Sequence, residues 1–315
     1  MAKFSEINRP LSLIDTYRGE AKLLRAKRNR ALRHHLTNED RANLRVLDGL
    51  DPGLITFIAS DNRARFCFAR NLSRGFRRVW RSANDLQVLH VTIINENFET
   101  SDERTEIRLA ELTKQARHIL DATGGSWIGG VDFAVFANRT YPAGGRVISP
   151  HVHATVWGCD ILQHAQHVAD GYNKRLHTGV AGVEAVKVQL VRATWPDIER
   201  VLTYPYRPPA RTKTVYYNPR TGLTNIHESE KADRYVRYLR MMQLLSLIEQ
   251  DRLCFAGGQG TVIRRQALQE AHTMLEQRTS ATNRASQMEW IEDFWAELLP
   301  RCELRRFAAP QITLR

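Results

Sequence analysis

The chain has 315 residues, enough for one large domain or two small ones with proper cores. Its formal net charge of +12, from 46 Lys and Arg against 34 Asp and Glu, favours a polyanionic partner. Its four cysteines are scattered with no CxxC pair, which argues against a cysteine zinc finger or disulfide scaffold and fits a reducing cytoplasm. No segment approaches the length of a membrane span and the first residues lack an apolar signal core, so the expectation is a soluble cytoplasmic protein with no membrane partner.

In chain order, residues 11–50 read as a basic helical region, with Arg18, Lys22, Arg25, Lys27, Arg28, Arg30 and Arg33 forming a solvated face or a DNA-contacting arm. Asp51-Pro52-Gly53 marks a turn and a boundary. Residues 63–83 predict a second basic helix, where Arg74, Arg77, Arg78 and Arg81 surround Phe76 and Trp80. Aromatics among arginines suit stacking on unpaired bases, and inward packing of Phe76, Val79 and Trp80 is the plainer alternative. Residues 86–94 predict a strand. Thr100-Ser101-Asp102-Glu103 has capping-box spacing and predicts the start of a helix carrying Ile107, Leu109, Leu112, Ala116, Ile119 and Leu120, closed by Gly124-Gly125.

Strands are predicted at 131–137 and 151–158, a helix at 160–169 and a fourth strand at 184–191. Thr194 then caps a helix with Pro196 in its first turn, running to about Tyr204. The order β-α-β-β-α-β-α predicts an α+β, ferredoxin-like split βαβ, with a mainly antiparallel sheet, helices on one face and the other face open to ligands. Beyond Pro205 come a hairpin around 215–222, a helix at 231–250, a Gly257–Gly260 turn and two more helices. The last carries Trp290, Phe294, Trp295, Leu298 and Leu299 at helical spacing, a core stripe or a subunit contact, so oligomers are compatible. The resulting division is a basic helical region at 1–60, a central domain at 61–210, and a hairpin plus helical region at 211–315.

The chemistry centres on Pro150-His151-Val152-His153-Ala154-Thr155-Val156-Trp157. Strand side chains alternate, so His151 and His153 share one face, and two imidazoles on one face can grip one metal ion. A divalent cation there would neutralise and orient a phosphodiester, and a tyrosine hydroxyl could attack it, leaving a phosphotyrosine and a free 3′-OH. Tyr204, Tyr206, Tyr216, Tyr217, Tyr235 and Tyr238 are the candidates. Tyr204 is favoured because it ends a short helix after the fourth strand and is restrained by Pro205; Tyr206 is its closest competitor. Glu199, five residues earlier, is placed either to activate water or as an ordinary helix carboxylate. Tyr235 and Tyr238 share a helix with leucines and read as packing residues.

The ordered segments LHVTII (89–94), PHVHATVWG (150–158), IERVLTYPYRP (198–208) and DRLCFAGGQG (251–260) resemble the HUH-endonuclease replication initiators of rolling-circle plasmids, over roughly residues 60–260. The resemblance implies the HUH endonuclease fold and a nuclease that nicks single-stranded or hairpin origin DNA, stores the bond as a 5′-phosphotyrosine and primes rolling-circle replication with Mg²⁺ or Mn²⁺. It also implies an acidic third metal ligand on the strand before the histidines, where Asp132 is the only carboxylate; His90 is the other candidate. Tyr204-Pro205-Tyr206-Arg207 is similar to a Tyr-Pro-x-Lys ending, which adds Arg207 to Arg74, Arg77, Arg78 and Arg81 as DNA-binding candidates. The chain departs from the family in having only Cys67 where relatives carry a cysteine-rich zinc segment. It also departs in that Glu199 precedes Tyr204 by five residues rather than four. There is no GxxxxGK[ST], so duplex unwinding calls for a host helicase.

Two other classes fit some of these residues. His90-Val91-Thr92 and His153-Ala154-Thr155 are a His-x-Thr pair, the signature of metal-free two-histidine RNA phosphoesterases. A catalytically decayed DNA-binding protein that keeps the fold is the other.

Overall fold

The computed structural model describes residues 57–83, 85–207, 212–228, 241, 244–245, 247–278 and 311–314. The basic segment at 11–50, most of the predicted helix at 231–250 with Tyr235 and Tyr238, and the aromatic stripe at 290–299 lie outside the described residues.

Five helices and ten strands form an α+β structure among the described residues. Helix α1 spans Asn62–Ser82 and strand β1 Gln87–Ile94. Two short strands follow, β2 at Thr100–Ser101 and β3 at Arg104–Ile107, then helix α2 at Leu109–Asp121. The long strands β4 (Ser126–Thr140) and β5 (Arg146–Gly158) form a hairpin. Its turn holds Gly144 and Gly145 at φ 97° and 75°, a region glycine enters without steric cost. Helix α3 (Leu162–Asn173), strand β6 (Val186–Leu190) and helix α4 (Trp195–Thr203) come next. A second hairpin, β7 (Lys213–Asn218) and β8 (Leu223–Glu228), precedes β9 (Cys254–Gly257), α5 (Gly260–Arg278) and β10 (Gln311–Leu314).

The predicted capping box at Thr100 does not open a helix. Thr100 and Ser101 pair with Ile148 and Val147 of β5. Their hydroxyls serve nearby backbone: Thr100 Oγ1 accepts from Glu106 N–H at 3.0 Å and Ser101 Oγ donates to the Gly144 carbonyl at 2.6 Å. With both caps used by a strand, α2 starts nine residues later than Thr100, with no side-chain cap. The Thr194 cap behaves as predicted: its Oγ1 accepts from Asp197 N–H and Pro196 occupies the first turn, where its missing donor costs nothing.

The main sheet runs β6-β1-β5-β4-β7-β8, with β2 also on β5 and β9 on β4. Its pairings are antiparallel except for the single parallel pairing of β4 with β7, and β10 pairs parallel with β3 in a separate two-stranded sheet. The sheet crosses residue 210, so the β7–β8 hairpin and β9 extend the sheet formed by the preceding residues.

Both faces of the sheet carry helices. On one, Leu89, Val91, Ile93, Val131, Phe133, Val152, Ala154 and Val156 pack with α2 and α3. The face expected to stay open bears Val88, Ile128 and Trp157, which demand cover and receive it from α1, α4 and α5. Phe76 meets Trp157 edge-on at 4.8 Å, so this aromatic of α1 packs inward and is not presented to bases. Among the described residues, no helix is long and apolar enough to cross a membrane.

Candidate metal centre

Register brings the site together. Alternation along β5 sends Val152, Ala154 and Val156 into the apolar layer and His151, His153 and Thr155 to the opposite face. Pairing with β4 sets Asp132 beside His151 and Gly130 beside His153. Pairing with β1 sets Thr92 beside His153 and His90 beside Thr155. Three strands thus contribute to one patch, and the central strand β5 carries both histidines.

One ligand atom from each of Asp132, His151 and His153 lies within 4.8 Å of the others. His151 Nε2 is 3.7 Å from Asp132 Oδ2, and His151 Nδ1 is 2.9 Å from the Ser149 carbonyl. A carbonyl only accepts, so Nδ1 carries the proton and the Nε2 lone pair faces the carboxylate. His153 Nδ1 meets Thr92 Oγ1 at 3.2 Å, while its Nε2 is buried and bonded to nothing among the described residues. His151 and His153 are only 6 % and 7 % exposed, and a partnerless buried nitrogen costs on the order of 1–3 kcal/mol.

These residues fit a cation. With bonds of about 2.0–2.2 Å, neighbouring ligands of one ion stand roughly 3–3.6 Å apart, so the group would close on an ion by up to about an ångström. A set of two imidazoles and one carboxylate suits a borderline or hard divalent ion. The group can hold a metal ion. The histidines are kept neutral, as ligands must be. Burial lowers His151, against the opposing pull of Asp132 and the Ser149 carbonyl. Burial, then His151, His90, Lys213 and Arg207, holds His153 well below the usual range. Burial with Arg200 and Lys187 takes His90 to about 4. His90 is not one of the clustered ligands; its ring stacks on His153 at 5.2 Å.

Tyr204 arrives from above this patch. Helix α4 ends at Thr203, and Tyr204–Tyr206 form one 3-10 turn. That turn lies directly on β4 because residue 130 is glycine: a Cβ there would stand 2.8 Å from both Pro205 and the Tyr206 ring. The Tyr204 ring sits 4.6 Å from that of His153 at 77°, and 6.2 Å from His90. Burial raises the phenol, only partly opposed by Lys213, so Tyr204 is protonated at neutral pH. The Arg207 guanidinium lies 5.0 Å over the Tyr204 ring.

Tyr206 points elsewhere. It is buried edge-on against Phe68 at 4.9 Å, with its hydroxyl 3.1 Å from the Gly129 carbonyl and 3.1 Å from Cys254 Sγ. Glu199 accepts a hydrogen bond from the Ser73 hydroxyl of α1 and is not among the clustered ligands. Arg74, Arg77, Arg78 and Arg81 are exposed on α1, with Arg77 lying 5.2 Å over the Trp195 ring. Trp195 in turn is 5.6 Å from Trp80.

Sequence reasoning missed Lys213, whose positive charge partly opposes the rise of the Tyr204 phenol and helps hold His151 and His153 down. Nothing local signals it: Lys213 opens a hairpin strand, and only the pairing of β7 with β4 at Phe136 brings it to the site. Gly130 was also missed, although it lies in register opposite His153, as does Thr92, which the sequence offered only as part of the His-x-Thr pair.

Comparison of the chain with family models, with curated proteins and with solved structures found no match.

Proposed function

We propose that this chain is a metal-dependent endonuclease of the HUH type that nicks single-stranded DNA through Tyr204, as a replication initiator does. The observation that carries the reading is the Tyr204 ring 4.6 Å from His153, over a group of Asp132, His151 and His153 that can hold a metal ion. The connectivity β1-α2-β4-β5-α3-β6 with spatial order β6-β1-β5-β4 supports it, since this is the arrangement of a split βαβ core.

In this reading, His151, His153 and Asp132 hold Mg²⁺ or Mn²⁺, which supplies charge neutralisation to the scissile phosphate. The Tyr204 oxygen attacks phosphorus in line with the O3′–P bond. That bond breaks, an Oη–P bond forms, the phenol gives up its proton and the leaving oxygen takes one up as the free 3′-OH. Arg207 and the exposed arginines of α1 hold flanking phosphates.

A second reading keeps one specific observation. His90 and His153 stack across paired strands, and their Nε2 atoms and Thr155 Oγ1 are all buried without partners among the described residues. That is a doubled His-x-Thr arrangement, the acid–base pair of a metal-free phosphoesterase. One assay separates the two. The chain is incubated with labelled hairpin DNA, or with RNA ending in a 2′,3′-cyclic phosphate, with Mn²⁺ or EDTA. A covalent DNA adduct that needs Mn²⁺ and disappears in His151→Ala is the expected result. EDTA-resistant opening of the cyclic phosphate without any adduct would overturn it.

A further inference from the structure

We infer that Tyr217, on the β7–β8 hairpin, is a stacking platform for an unpaired base of the DNA strand flanking the cleaved bond, with Arg220 at the turn holding a phosphate. The inference rests on the reading of single-stranded DNA as the substrate. Tyr216 and Tyr217 are 47 % and 63 % exposed. Every other tyrosine, phenylalanine and tryptophan among the described residues is buried or half-buried. Folding does not account for the pair. Their cross-strand partners are Asn225 and Thr224, which give an aromatic ring little to pack on.

The hairpin is aimed by its base. Phe136 of β4 pairs with Lys213 of β7, and paired residues of neighbouring strands share a face. Alternation along β4 puts Phe136 on the same face as Asp132, so Lys213, Val215 and Tyr217 stand on the metal face. The packing agrees: Val215 and Ile226 lie against Ala134, Phe136 and Val147. Asn138 fixes the base further, its side chain accepting from Val215 N–H at 3.0 Å and donating to the Val215 carbonyl at 2.5 Å. Tyr216 faces the other way, edge-on to His227 at 6.4 Å. Because β7 continues in the direction of β4, Tyr217 stands up to roughly 26 Å beyond Asp132, counting four residues along each strand. A single strand lying across the metal face would run past it.

The tip is a formed turn. The Asn218 carbonyl accepts from Thr221 and Gly222 N–H at 3.3 and 2.9 Å, and Gly222 takes φ 67°. The Tyr217 hydroxyl reaches this turn, 3.9 Å from where a Cβ on Gly222 would stand. Lys213 and Glu228 pair at 3.5 Å, and between them the only formal charge is Arg220, which is exposed. An open ring and a guanidinium on one rigid tip suit a polyanion with unpaired bases.

The test uses the full chain, a labelled single-stranded oligonucleotide and the matching duplex, without metal so that no cleavage intervenes. Affinity is read by fluorescence anisotropy across salt concentrations. Tyr217→Ala is expected to weaken single-strand binding by roughly 5–150-fold, the scale of one lost base stack, at an unchanged salt slope. Tyr217→Phe is expected to bind as the wild type does, since stacking needs the ring and not the hydroxyl. Duplex affinity should not change in either variant, and Tyr216→Ala should bind both DNAs normally. Arg220→Gln is expected to lower the single-strand salt slope by ~0.7, the share of one phosphate contact. Should Tyr217→Ala fail to fold, Tyr217→Thr, which keeps a strand-forming residue, is read in its place. Wild-type single-strand affinity in the Ala or Thr variant overturns the inference, leaves the Tyr204 reading standing and makes a protein contact the better account of the exposed ring. An equal loss on duplex, a Phe variant as weak as the Ala one, or an equal loss in Tyr216→Ala also overturns it. A wild-type chain that binds no single strand overturns both readings, whereas one that binds it and forms no adduct on Tyr204 overturns the Tyr204 reading alone.

Discussion

The two faces of β5 are equally buried and differ in what completes them. Val152, Ala154 and Val156 fill a layer closed by α2 and α3, where each buried valine contributes about 1.5–3 kcal/mol and nothing further is required. One residue away, His151 and His153 are buried with the Tyr204 ring 4.6 Å from that of His153, yet Nε2 of His153 has no partner among the described residues. The first face is finished by folding; the second leaves a buried nitrogen without a partner among the described residues beside a group that can hold a metal ion. A sequence selected only for stability would put apolar residues on both faces, so the polar face marks where stability yields to chemistry.

The largest expected effect comes from making the first face resemble the second. Val152→Asp buries an unpaired charge between sheet and helices and is expected to cost more than about 4 kcal/mol, seen as loss of a cooperative melt. The reverse change sharpens the contrast. His153→Val removes the orphan nitrogen and is expected to leave metal-free stability unchanged or raised by about 1 kcal/mol, while abolishing any rise in Tm with Mn²⁺. A strongly destabilised His153→Val would show that this face, too, is built for packing.

Acid tests the same contrast. His90 is held at about 4 in the fold, against about 6.5 when unfolded. The unfolded chain therefore binds more protons between these values. Stability is full above pH ~6.5 and falls as pH drops toward ~4, by on the order of 3 kcal/mol from His90 alone. Burial pushes His151 and His153 the same way. Urea titrations of the metal-free chain at several pH values measure this, and a flat profile would contradict it.

A smaller effect is expected at the exposed arginines. Arg77→Glu with Arg78→Glu should weaken single-stranded DNA binding about tenfold at low salt and flatten its salt dependence, since each lost phosphate contact removes ~0.7 from the log–log slope. Unchanged affinity would remove α1 from the DNA surface. The smallest is Tyr206→Phe, which loses a buried hydroxyl bond worth about 1 kcal/mol and should leave adduct formation intact.

Much of this was legible before the fold. Alternation placed His151 and His153 on one face and Val152 on the other, and Thr194 with Pro196 announced α4 and so the approach of Tyr204. What failed was long-range. Thr100 and Ser101 carry a helix-start signal, but a strand 46 or more residues away claimed them, and propensity yielded to pairing. Tyr204 and Tyr206 stand two residues apart in one motif, and only Gly130 and Cys254, far along the chain, decide that the second is locked in the core. Lys213 enters through a single parallel pairing of β7 with β4 that no local pattern encodes.

The most direct test of the central claim is mass spectrometry of the protein after reaction with single-stranded hairpin DNA and Mn²⁺, with Tyr204→Phe alongside. The account predicts a nucleotide mass on the peptide containing Tyr204 and none in the variant, whose metal and DNA binding persist because only the attacking oxygen is gone. A nucleotide on Tyr206, Tyr216 or Tyr217, or DNA cut with no tyrosine modified, would contradict it.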